Sequence, residues 1–205
     1  MKISVIGATG KTGLQLVQQG LDQGYKVTGF VRDTSKMEVS HPNLTIVEGD
    51  VLKAETIDPA VVGQDYVFCA LGADGFKETT TLSEGTKNVI AAMQRNDVNK
   101  LIVITVMGAH ESWQQLSLFA RILFRILLKN VLKDHERQEI IVQESSIEYV
   151  IVRPGQLVDG EHTGHYTHGA DGGFKEGRLT RANLADFMLT QIEDPQYWGK
   201  AVVVT

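Results

Sequence analysis

The sequence has little of several features that define whole classes of protein. Its 205 residues include a single cysteine, Cys69, and four prolines. A lone cysteine cannot form an internal disulfide, which excludes a disulfide scaffold and favours a reducing compartment. The chain starts Met1-Lys2-Ile3 without a long apolar segment and small-residue cleavage site, so no signal peptide is indicated. We therefore expect a cytoplasmic protein.

An excess of basic charge is also missing. Lys and Arg number 20 against 25 Asp and Glu, which gives a formal net charge of −5. Nucleic-acid-binding domains usually carry a basic surface, so we do not expect nucleic acid as a partner. Apolar residues make up 42% and charged residues 22%, as in folded globular proteins. The length fits one domain over residues 1–205.

Short apolar segments alternate with helical patterns. The segments that resemble strands are residues 3–6, 25–31, 44–47, 66–71, 101–106, 149–152 and 201–204. The helical patterns are residues 12–23, 55–62, 78–96, 113–144 and 181–192. Several strands are apolar throughout, which is typical of strands that are covered on both faces. The pattern predicts an α/β fold: a doubly wound parallel sheet of the Rossmann type with helices on both faces.

A glycine-rich turn joins the first strand to the first helix. It reads Gly7-Ala8-Thr9-Gly10-Lys11-Thr12-Gly13. Gly7 permits a sharp turn, Gly10 lets the backbone approach a diphosphate, and Gly13 allows close packing of helix on strand. The spacing differs from the standard G-x-G-x-x-G and from a Walker loop. We interpret it as a dinucleotide-binding turn; the alternative is a turn that only needs small residues.

The end of the second strand indicates which dinucleotide is bound. An acidic side chain there binds a ribose 2′-hydroxyl, whereas an arginine accommodates a 2′-phosphate. The strand ends at Arg32 and Asp33, with Ser35 and Lys36 just beyond. Arg32 and Lys36 favour NADP over NAD. Asp33 favours NAD instead, unless its side chain only caps the next turn.

Two later strand ends complete the predicted cofactor site. Asp50 and the Val51 backbone are placed to meet an adenine amino group, and Leu71-Gly72 leave room for ribose and nicotinamide. Either pair is equally compatible with ordinary turn chemistry.

The sequence lacks the Tyr-x-x-x-Lys pair with which many reductases of this fold donate a proton. Tyr25, Tyr66, Tyr149, Tyr166 and Tyr197 are followed four residues later by Gly29, Ala70, Arg153, Ala170 and Ala201. A carbonyl that accepts hydride profits from a positioned acid. A conjugated acceptor such as a flavin or a linear tetrapyrrole delocalises the charge and needs less help. The alternatives are a protein that binds the dinucleotide without turnover and a conventional carbonyl reductase, which the missing pair disfavours.

Segments spread along most of the sequence resemble a known family. The matching segments are residues 7–14, 24–25, 31–33, 49–52, 63–65, 71–72, 83–85 with 88, 91–93, 134–135, 163–164, 166–167 and 186–189. The chain resembles the NADPH-dependent biliverdin-IXβ reductases, also called flavin reductases. These are atypical short-chain dehydrogenases related to the NmrA-like regulators. The features that indicate this branch are the missing Tyr/Lys pair and the residues Thr163-Gly164 and Tyr166-Thr167.

The resemblance implies a monomeric reductase that passes hydride from NADPH to β-type bilins, flavins and quinone-like acceptors. It implies a cofactor site formed by Thr9, Gly10, Lys11, Thr12, Arg32, Ser35, Lys36, Asp50, Val51, Leu71 and Gly72. Thr105 and the segment Pro154-Gly155-Gln156-Leu157 would flank the nicotinamide. Residues of about 107–135 and 155–180 would form the acceptor side, with contacts from Met107, His110, Trp113, Arg121 and Arg125.

The chain departs from that family near the expected reaction centre. Val106 replaces a serine, and Gln156 replaces a histidine; an amide can hydrogen-bond but does not titrate near neutral pH. His135 stands where typical relatives have the lysine of the Tyr/Lys pair. We list Thr105, His135 and Gln156 as candidate catalytic residues. For His135 the alternatives are a proton donor and a solvent-exposed helix residue.

Two further patterns have more than one interpretation. His162, His165 and His168 recur every third residue and would suit zinc, but the resemblance places them in a loop without metal, so none is expected. Residues 116–132 are almost entirely apolar apart from Arg121, Arg125 and Lys129, and Lys133 continues the i+4 spacing. This segment would be an interfacial helix on anionic lipid, or a lid whose Arg121 or Arg125 pairs with bilin propionates. The third interpretation, which we favour, is a helix packed on the sheet with a solvated basic stripe, and membrane contact is not expected.

Overall fold

Strands and helices alternate along most of the chain. The computed structural model describes residues 1–73, 75, 79–175 and 177–205. The strands are β1 Lys2–Ile6, β2 Lys26–Val31, β3 Leu44–Glu48, β4 Tyr66–Cys69, β5 Lys100–Ile104, β6 Glu148–Pro154, β7 Gln156–Val158, β8 His168–Gly169, β9 Arg178–Thr180 and β10 Lys200–Val204. The helices are α1 Lys11–Asp22, α2 Asp58–Val61, α3 Thr81–Arg95, α4 Leu118–Ile126, α5 Lys129–Gln143 and α6 Arg181–Thr190.

The main sheet has the strand order β3-β2-β1-β4-β5-β6-β10-β8. Its pairs are parallel except for β8, which runs antiparallel to β10. The strand order reverses between β1 and β4, and in such open sheets ligands bind beyond the carboxyl ends of the strands at this reversal. The predicted doubly wound α/β fold is confirmed.

Alternate side chains of each strand point to opposite faces of the sheet. Ile3 and Val5 of β1 pack with α1 and α6 in one apolar core, whereas Ile6 packs with α2, α3 and α5 in a second core. Because both faces are covered, the central strands are apolar throughout, as the sequence predicts. Each fully buried aliphatic side chain contributes about 1.5–3 kcal/mol to this arrangement.

The predicted long helix over residues 113–144 is wrong. The chain forms a 3-10 segment over His110–Gln115, then α4, then α5. Neither proline nor glycine stands at the break near Leu127 and Leu128. Helix α5 packs on α3, whereas α4 covers the end of the sheet, so tertiary contacts set the break.

Other boundaries differ less. The predicted helix over residues 55–62 is a 3-10 turn, Ala54–Thr56, followed by α2. The predicted start of the third helix at Glu78 lies outside the described residues, and α3 begins at Thr81. Residues 155–177 are rich in glycine, and they contain β7 and β8; β7 pairs with β9. In the described parts of the chain, no helix combines the length and apolar character needed to cross a membrane.

Candidate functional site

The turn between β1 and α1 is built from backbone contacts that exclude larger side chains. Gly7 has φ of +82°, and the N–H groups of Gly7 and Ala8 donate to the Phe30 carbonyl at 3.2 Å each. A Cβ on Gly13 would lie 2.2 Å from the Gly7 carbonyl oxygen, so no side chain fits there.

This turn leaves an anion-binding helix end open. Gly10 is the N-cap of α1 and has no side chain to cap the first turn of the helix. The N–H groups of such a first turn, with the positive end of the helix dipole, bind phosphate groups. The residues present therefore fit the diphosphate of a dinucleotide.

At the end of β2, Asp33 is occupied by its own turn. Its carboxylate accepts hydrogen bonds from the Ser35 N–H at 3.0 Å and the Ser35 hydroxyl at 2.6 Å. These bonds lower the pKa of Asp33, and they confirm that this residue caps the Thr34–Lys36 turn. Arg32 is exposed beside it, and the Lys36 ammonium lies 3.9 Å from the Asp33 carboxylate.

Asp50 and Val51 form a turn just after β3. The Asp50 carboxylate accepts from the Leu52 N–H at 3.0 Å, and the Val51 carbonyl accepts from the Asn88 amide at 2.8 Å. The Val51 side chain is buried in the core. Both residues thus have structural partners, and their contact with adenine stays a prediction.

A cleft of about 830 Å³ opens beyond the carboxyl ends of β1, β4, β5 and β6. Of the predicted site residues, the cleft brings together Gly10, Lys11, Thr12, Leu71, Gly72, Thr105, Met107, His135, Pro154, Gln156 and Leu157. Gly155, which the resemblance also assigned, lines the cleft. So do residues that the sequence did not assign individually: Ala70, Ala73, Ile104, Val106, Leu116, Phe119, Ala120, Leu123, Phe124, Leu128, Gly177, Arg178 and Arg181. One end is the glycine-rich turn, and much of the opposite wall is apolar.

His135 is buried in the cleft wall, so the exposed-helix interpretation is wrong. Its Nδ1 lies 2.9 Å from the Gln138 amide oxygen, and the Gln138 amide nitrogen donates to the Thr86 hydroxyl at 2.9 Å. With an oxygen as its partner, Nδ1 carries the proton and Nε2 is an acceptor in the neutral ring. Burial lowers the pKa of His135 below its ordinary value of 6.5. The ring is therefore mainly neutral at pH 7 and is a poor proton donor.

A buried ion network lies under the cleft floor, and sequence reasoning missed it. The Thr105 hydroxyl donates to the Glu139 carboxylate at 2.7 Å, and Arg153 donates to both oxygens of Glu139 at 3.0 and 2.7 Å. Glu111 accepts from the same guanidinium. Burial alone would lower the pKa of Arg153, but the hydrogen bonds with Glu139 and Glu111 raise it. One sequence feature could have indicated this network: a charged residue, Arg153, directly follows the apolar run Val150-Ile151-Val152.

The network determines the hydrogen-bonding role of the Thr105 hydroxyl. Its hydroxyl proton is committed to Glu139, so Thr105 is not a free donor to a bound molecule. Gln156, by contrast, is exposed at the cleft and its backbone N–H donates to the Gly177 carbonyl at 2.8 Å. Its amide is available to orient a ligand.

Four predicted acceptor contacts are placed elsewhere. Among the described residues lining the cleft, His110, Trp113, Arg121 and Arg125 do not occur. His110 Nε2 lies 3.7 Å from the Glu139 carboxylate, and the Arg125 guanidinium stacks 5.6 Å above the Trp113 ring. Arg121 donates to the Gln114 carbonyl at 2.7 Å. These side chains bind parts of the chain itself, which argues against the predicted pairing with propionates.

The remaining predicted cofactor residues surround the cleft without forming the wall that the structure describes. They are Gly7, Thr9, Gly13, Arg32, Ser35, Lys36, Asp50 and Val51. They lie in the β1–α1 turn or at the ends of β2 and β3, at the same edge of the sheet.

A salt-bridge clasp joins two residues of the cleft wall, Lys11 and Arg181, through Asp159. Asp159 accepts from Lys11 at 2.7 Å and from Arg181 at 2.6 Å. The hydrogen bond from Lys11 and the nearby charge of Arg181 lower the pKa of Asp159. No sequence signal indicated this clasp, because Lys11 and Asp159 are 148 positions apart.

The three histidines of the glycine-rich segment have separate surroundings. His162 Nε2 lies 3.4 Å from the Asp186 carboxylate, His168 Nδ1 lies 2.8 Å from the Tyr197 hydroxyl, and His165 is exposed. Over residues 1–73, 75, 79–175 and 177–205, no group of three or more His, Cys, Asp or Glu side chains is arranged to hold a metal ion. The geometry therefore gives the zinc interpretation no support.

Relatives of known sequence extend over most of the chain. An uncharacterized chloroplast protein of Arabidopsis thaliana is 31% identical over 194 residues, which cover 90% of this chain and 69% of that protein. The photosystem II assembly factor Ycf39 of Synechocystis sp. is 34% identical over 115 residues, 54% of this chain and 35% of Ycf39. The aligned part is thus only about a third of the length of Ycf39.

Solved structures share the fold. A short-chain dehydrogenase/reductase of Veillonella parvula in complex with NADP has a TM-score of 0.86 and 16% identity, covering 99% of this chain and 93% of that one. ChuY of Escherichia coli O157:H7, described as an anaerobilin reductase, also has a TM-score of 0.86, with 20% identity and coverage of 100% and 96%. At these identities the likeness shows the fold alone.

A family model described as NAD(P)H-binding matches residues 7–195. The matched range includes the glycine-rich turn and all of the described residues that line the cleft. The predicted nicotinamide dinucleotide cofactor is thereby confirmed. The chain belongs to the NAD(P)H-binding family and has the Rossmann-like fold of the short-chain dehydrogenases/reductases.

Proposed function

We propose that the protein is an NADPH-dependent oxidoreductase that transfers hydride to a planar conjugated acceptor, a β-type bilin or a free flavin. The observation that carries the proposal is the cleft itself. Its phosphate-binding end at Gly10 and its apolar end at Phe119 and Leu123 belong to one continuous space of about 830 Å³. Such a space has room for an extended cofactor and for part of a flat apolar molecule over it.

The choice of NADPH rests on the end of β2. Asp33 uses its carboxylate to cap the following turn, so it competes poorly for a ribose hydroxyl. Arg32 and Lys36 stand beside it at the surface and supply the positive charge that a 2′-phosphate needs. The Veillonella protein of the same fold was solved with NADP, which is consistent with this assignment.

The acceptor class rests on the opposite wall. Phe119, Leu123, Phe124 and Leu128 present apolar surface to the cleft, and Gln156 presents an amide. Flat conjugated molecules bind more tightly when they bury apolar surface in such a wall, and a few polar groups fix their orientation. ChuY, which has the same fold, is described as an anaerobilin reductase.

The chain itself positions the cofactor and the acceptor and does not supply an acid catalyst. Bound NADPH would supply the hydride. Gly10 and the α1 N-terminus would hold the diphosphate, while Pro154 and Leu157 would pack beside the nicotinamide. His135 is mainly neutral and its Nδ1 proton is held by Gln138, so the proton that completes reduction comes from solvent through the open cleft. A conjugated acceptor tolerates this because it delocalises the added charge.

A panel of acceptors tests the proposal. Purified protein is incubated with NADPH or NADH and with FMN, biliverdin isomers or simple quinones, and nucleotide oxidation is followed by absorbance. We expect oxidation of NADPH with FMN or a β-type biliverdin, and much slower oxidation of NADH. Absence of turnover with every conjugated acceptor, in protein that binds NADPH by calorimetry, would reject the enzyme assignment.

That last result would favour a second function, a dinucleotide-binding assembly or regulatory factor without turnover. The similarity to the assembly factor Ycf39 favours this alternative. The missing Tyr/Lys pair is compatible with it as well. Calorimetric binding of NADPH together with no oxidation in the panel would distinguish it from the reductase.

A further inference from the structure

Helix α4 presents apolar side chains to solvent. Leu118, Phe119, Ile122 and Ile126 are exposed by 76, 76, 57 and 72%, and we call these four residues the apolar face of α4. The predicted solvated basic stripe is present at Arg125, but the predicted packing on the sheet is wrong for these four apolar side chains. No residue of α4 is fully buried. A contiguous exposed apolar surface usually marks an interaction site.

The four side chains form one side of the helix. At about 100° per residue they span an arc of about 100° without a charged residue. Arg121 and Arg125 follow on one flank of that arc, whereas Ala120 and Phe124 on the opposite flank line the cleft. Phe119 belongs both to the apolar face and to the cleft wall, so the two surfaces are continuous.

The segment that contains this face carries charge of the opposite sign to that of the whole chain. Residues 112–133 contain Arg121, Arg125, Lys129 and Lys133 and no Asp or Glu, whereas the chain carries −5. Arg125, Lys129 and Lys133 are exposed. Apolar side chains beside exposed cations on a short helix are the pattern of segments that lie in the interface of an anionic bilayer.

We propose that the apolar face of α4 docks on an anionic lipid surface, with the helix lying in the plane of the headgroups. The apolar side chains would enter the acyl boundary while Arg125, Lys129 and Lys133 contact anionic headgroups. The nine residues of α4 are too few to cross a bilayer, so the helix lies on the membrane. A symmetric dimer through the same face would bring two basic flanks together, which makes a second copy the less favourable occupant.

Co-sedimentation with lipid vesicles tests this docking. We expect the wild-type protein to bind vesicles of mixed phosphatidylcholine and phosphatidylglycerol, and to bind pure phosphatidylcholine much more weakly. Ile122→Asp/Ile126→Asp should reduce binding at least about ten-fold, because two charges replace inserted side chains. Lys129→Gln/Lys133→Gln should reduce it about five-fold per residue and flatten its dependence on salt.

The matched control is Leu52→Asp/Val62→Asp, which adds the same charge at positions that are 50 and 56% exposed away from α4. It should bind anionic vesicles within about two-fold of the wild type. Circular dichroism and thermal unfolding verify that each variant is folded. The proposal is overturned if wild-type protein does not bind anionic vesicles, or if the control loses binding as much as Ile122→Asp/Ile126→Asp. It is also overturned if that variant only dissociates a dimer seen by sedimentation velocity.

Discussion

At the scale of single residues, the sequence predicted those functions that depend on a local signature. Gly7, Gly10 and Gly13 were recognisable because their spacing is fixed by one turn, and the structure confirms that the backbone passes too close for a side chain at Gly13. Asp134, by contrast, was only one of the residues that carry the family resemblance, and no role was predicted for it. Its carboxylate accepts from the N–H groups of Leu82 and Ser83 and so caps α3 from 52 positions away. Such partners depend on the tertiary fold and leave no local pattern.

Arg32 gives the first prediction at this scale. Arg32→Ala should raise the KM for NADPH roughly 10–100-fold, since a charge-assisted hydrogen bond to a phosphate contributes about 1.5–3 kcal/mol. The KM for NADH should change little, because NADH has no 2′-phosphate. Steady-state kinetics or calorimetric titration with both nucleotides measures the difference. Lys26→Ala, at the opposite end of β2, is the control and should leave both values unchanged; equal losses for the two nucleotides in Arg32→Ala would reject the NADP assignment.

The buried imidazole of His135 gives a second prediction, on the pH dependence of stability. Its pKa is lowered in the folded protein, whereas in the unfolded chain it returns to the ordinary 6.5. Between these two pKa values the unfolded chain binds more protons, so the free energy of unfolding falls as the pH drops below about 6.5. In His135→Gln this contribution is absent, and urea unfolding between about pH 7.5 and pH 5.5 should show a smaller decrease.

His165→Gln is the control for that measurement, because this side chain is exposed and loses little solvent on folding. It should retain the wild-type pH dependence. If His135→Gln and the wild type lose stability in parallel, the imidazole is not buried in a neutral state and the argument against its role as an acid fails.

At the scale of elements, hydrophobic pattern predicted strands and most helices well, and it failed where packing decides. The strands β1 to β6 were recognisable as apolar runs, because both faces of the sheet are covered. The break between α4 and α5 contains no proline or glycine, so the sequence did not indicate it. The apolar residues of α4 were predicted to pack on the sheet, but most of them are exposed. The strands β7, β8 and β9 have two or three residues each and depend on partners distant in sequence, so no periodicity could indicate them.

The ion network ties elements together and gives the third prediction. Glu139 from α5 is fully buried and pairs with Arg153 from β6, so Glu139→Gln leaves a buried guanidinium without its main partner. Removal of one partner of a buried ion pair typically costs about 3–5 kcal/mol. Glu111 binds the same guanidinium, but its side chain is 71% exposed. Glu111→Gln should therefore cost less than about 1 kcal/mol. Urea unfolding at neutral pH compares the two variants, and similar losses would show that Glu139 does not anchor the network.

At the scale of the whole molecule, cofactor binding and folding are linked. The cleft takes its lining from the β1–α1 turn, from the ends of β4, β5 and β6, and from α4, α5 and α6. Since the lining residues extend from Gly10 to Arg181, the binding site exists only when most of the chain has folded. A ligand that binds only the folded state stabilises it by mass action.

We therefore expect NADPH at about 100 times its Kd to raise the free energy of unfolding by about 2.7 kcal/mol, and the same concentration of NADH to raise it much less. Thermal unfolding at several nucleotide concentrations measures both effects. Gly13→Ala supplies the control, because its Cβ would lie 2.2 Å from the Gly7 carbonyl and must displace the turn that holds the diphosphate. That variant should be less stable on its own and should gain little from NADPH. If it gained as much as the wild type, the nucleotide would bind somewhere other than the β1–α1 turn, and the placement of the cofactor in this cleft would be wrong.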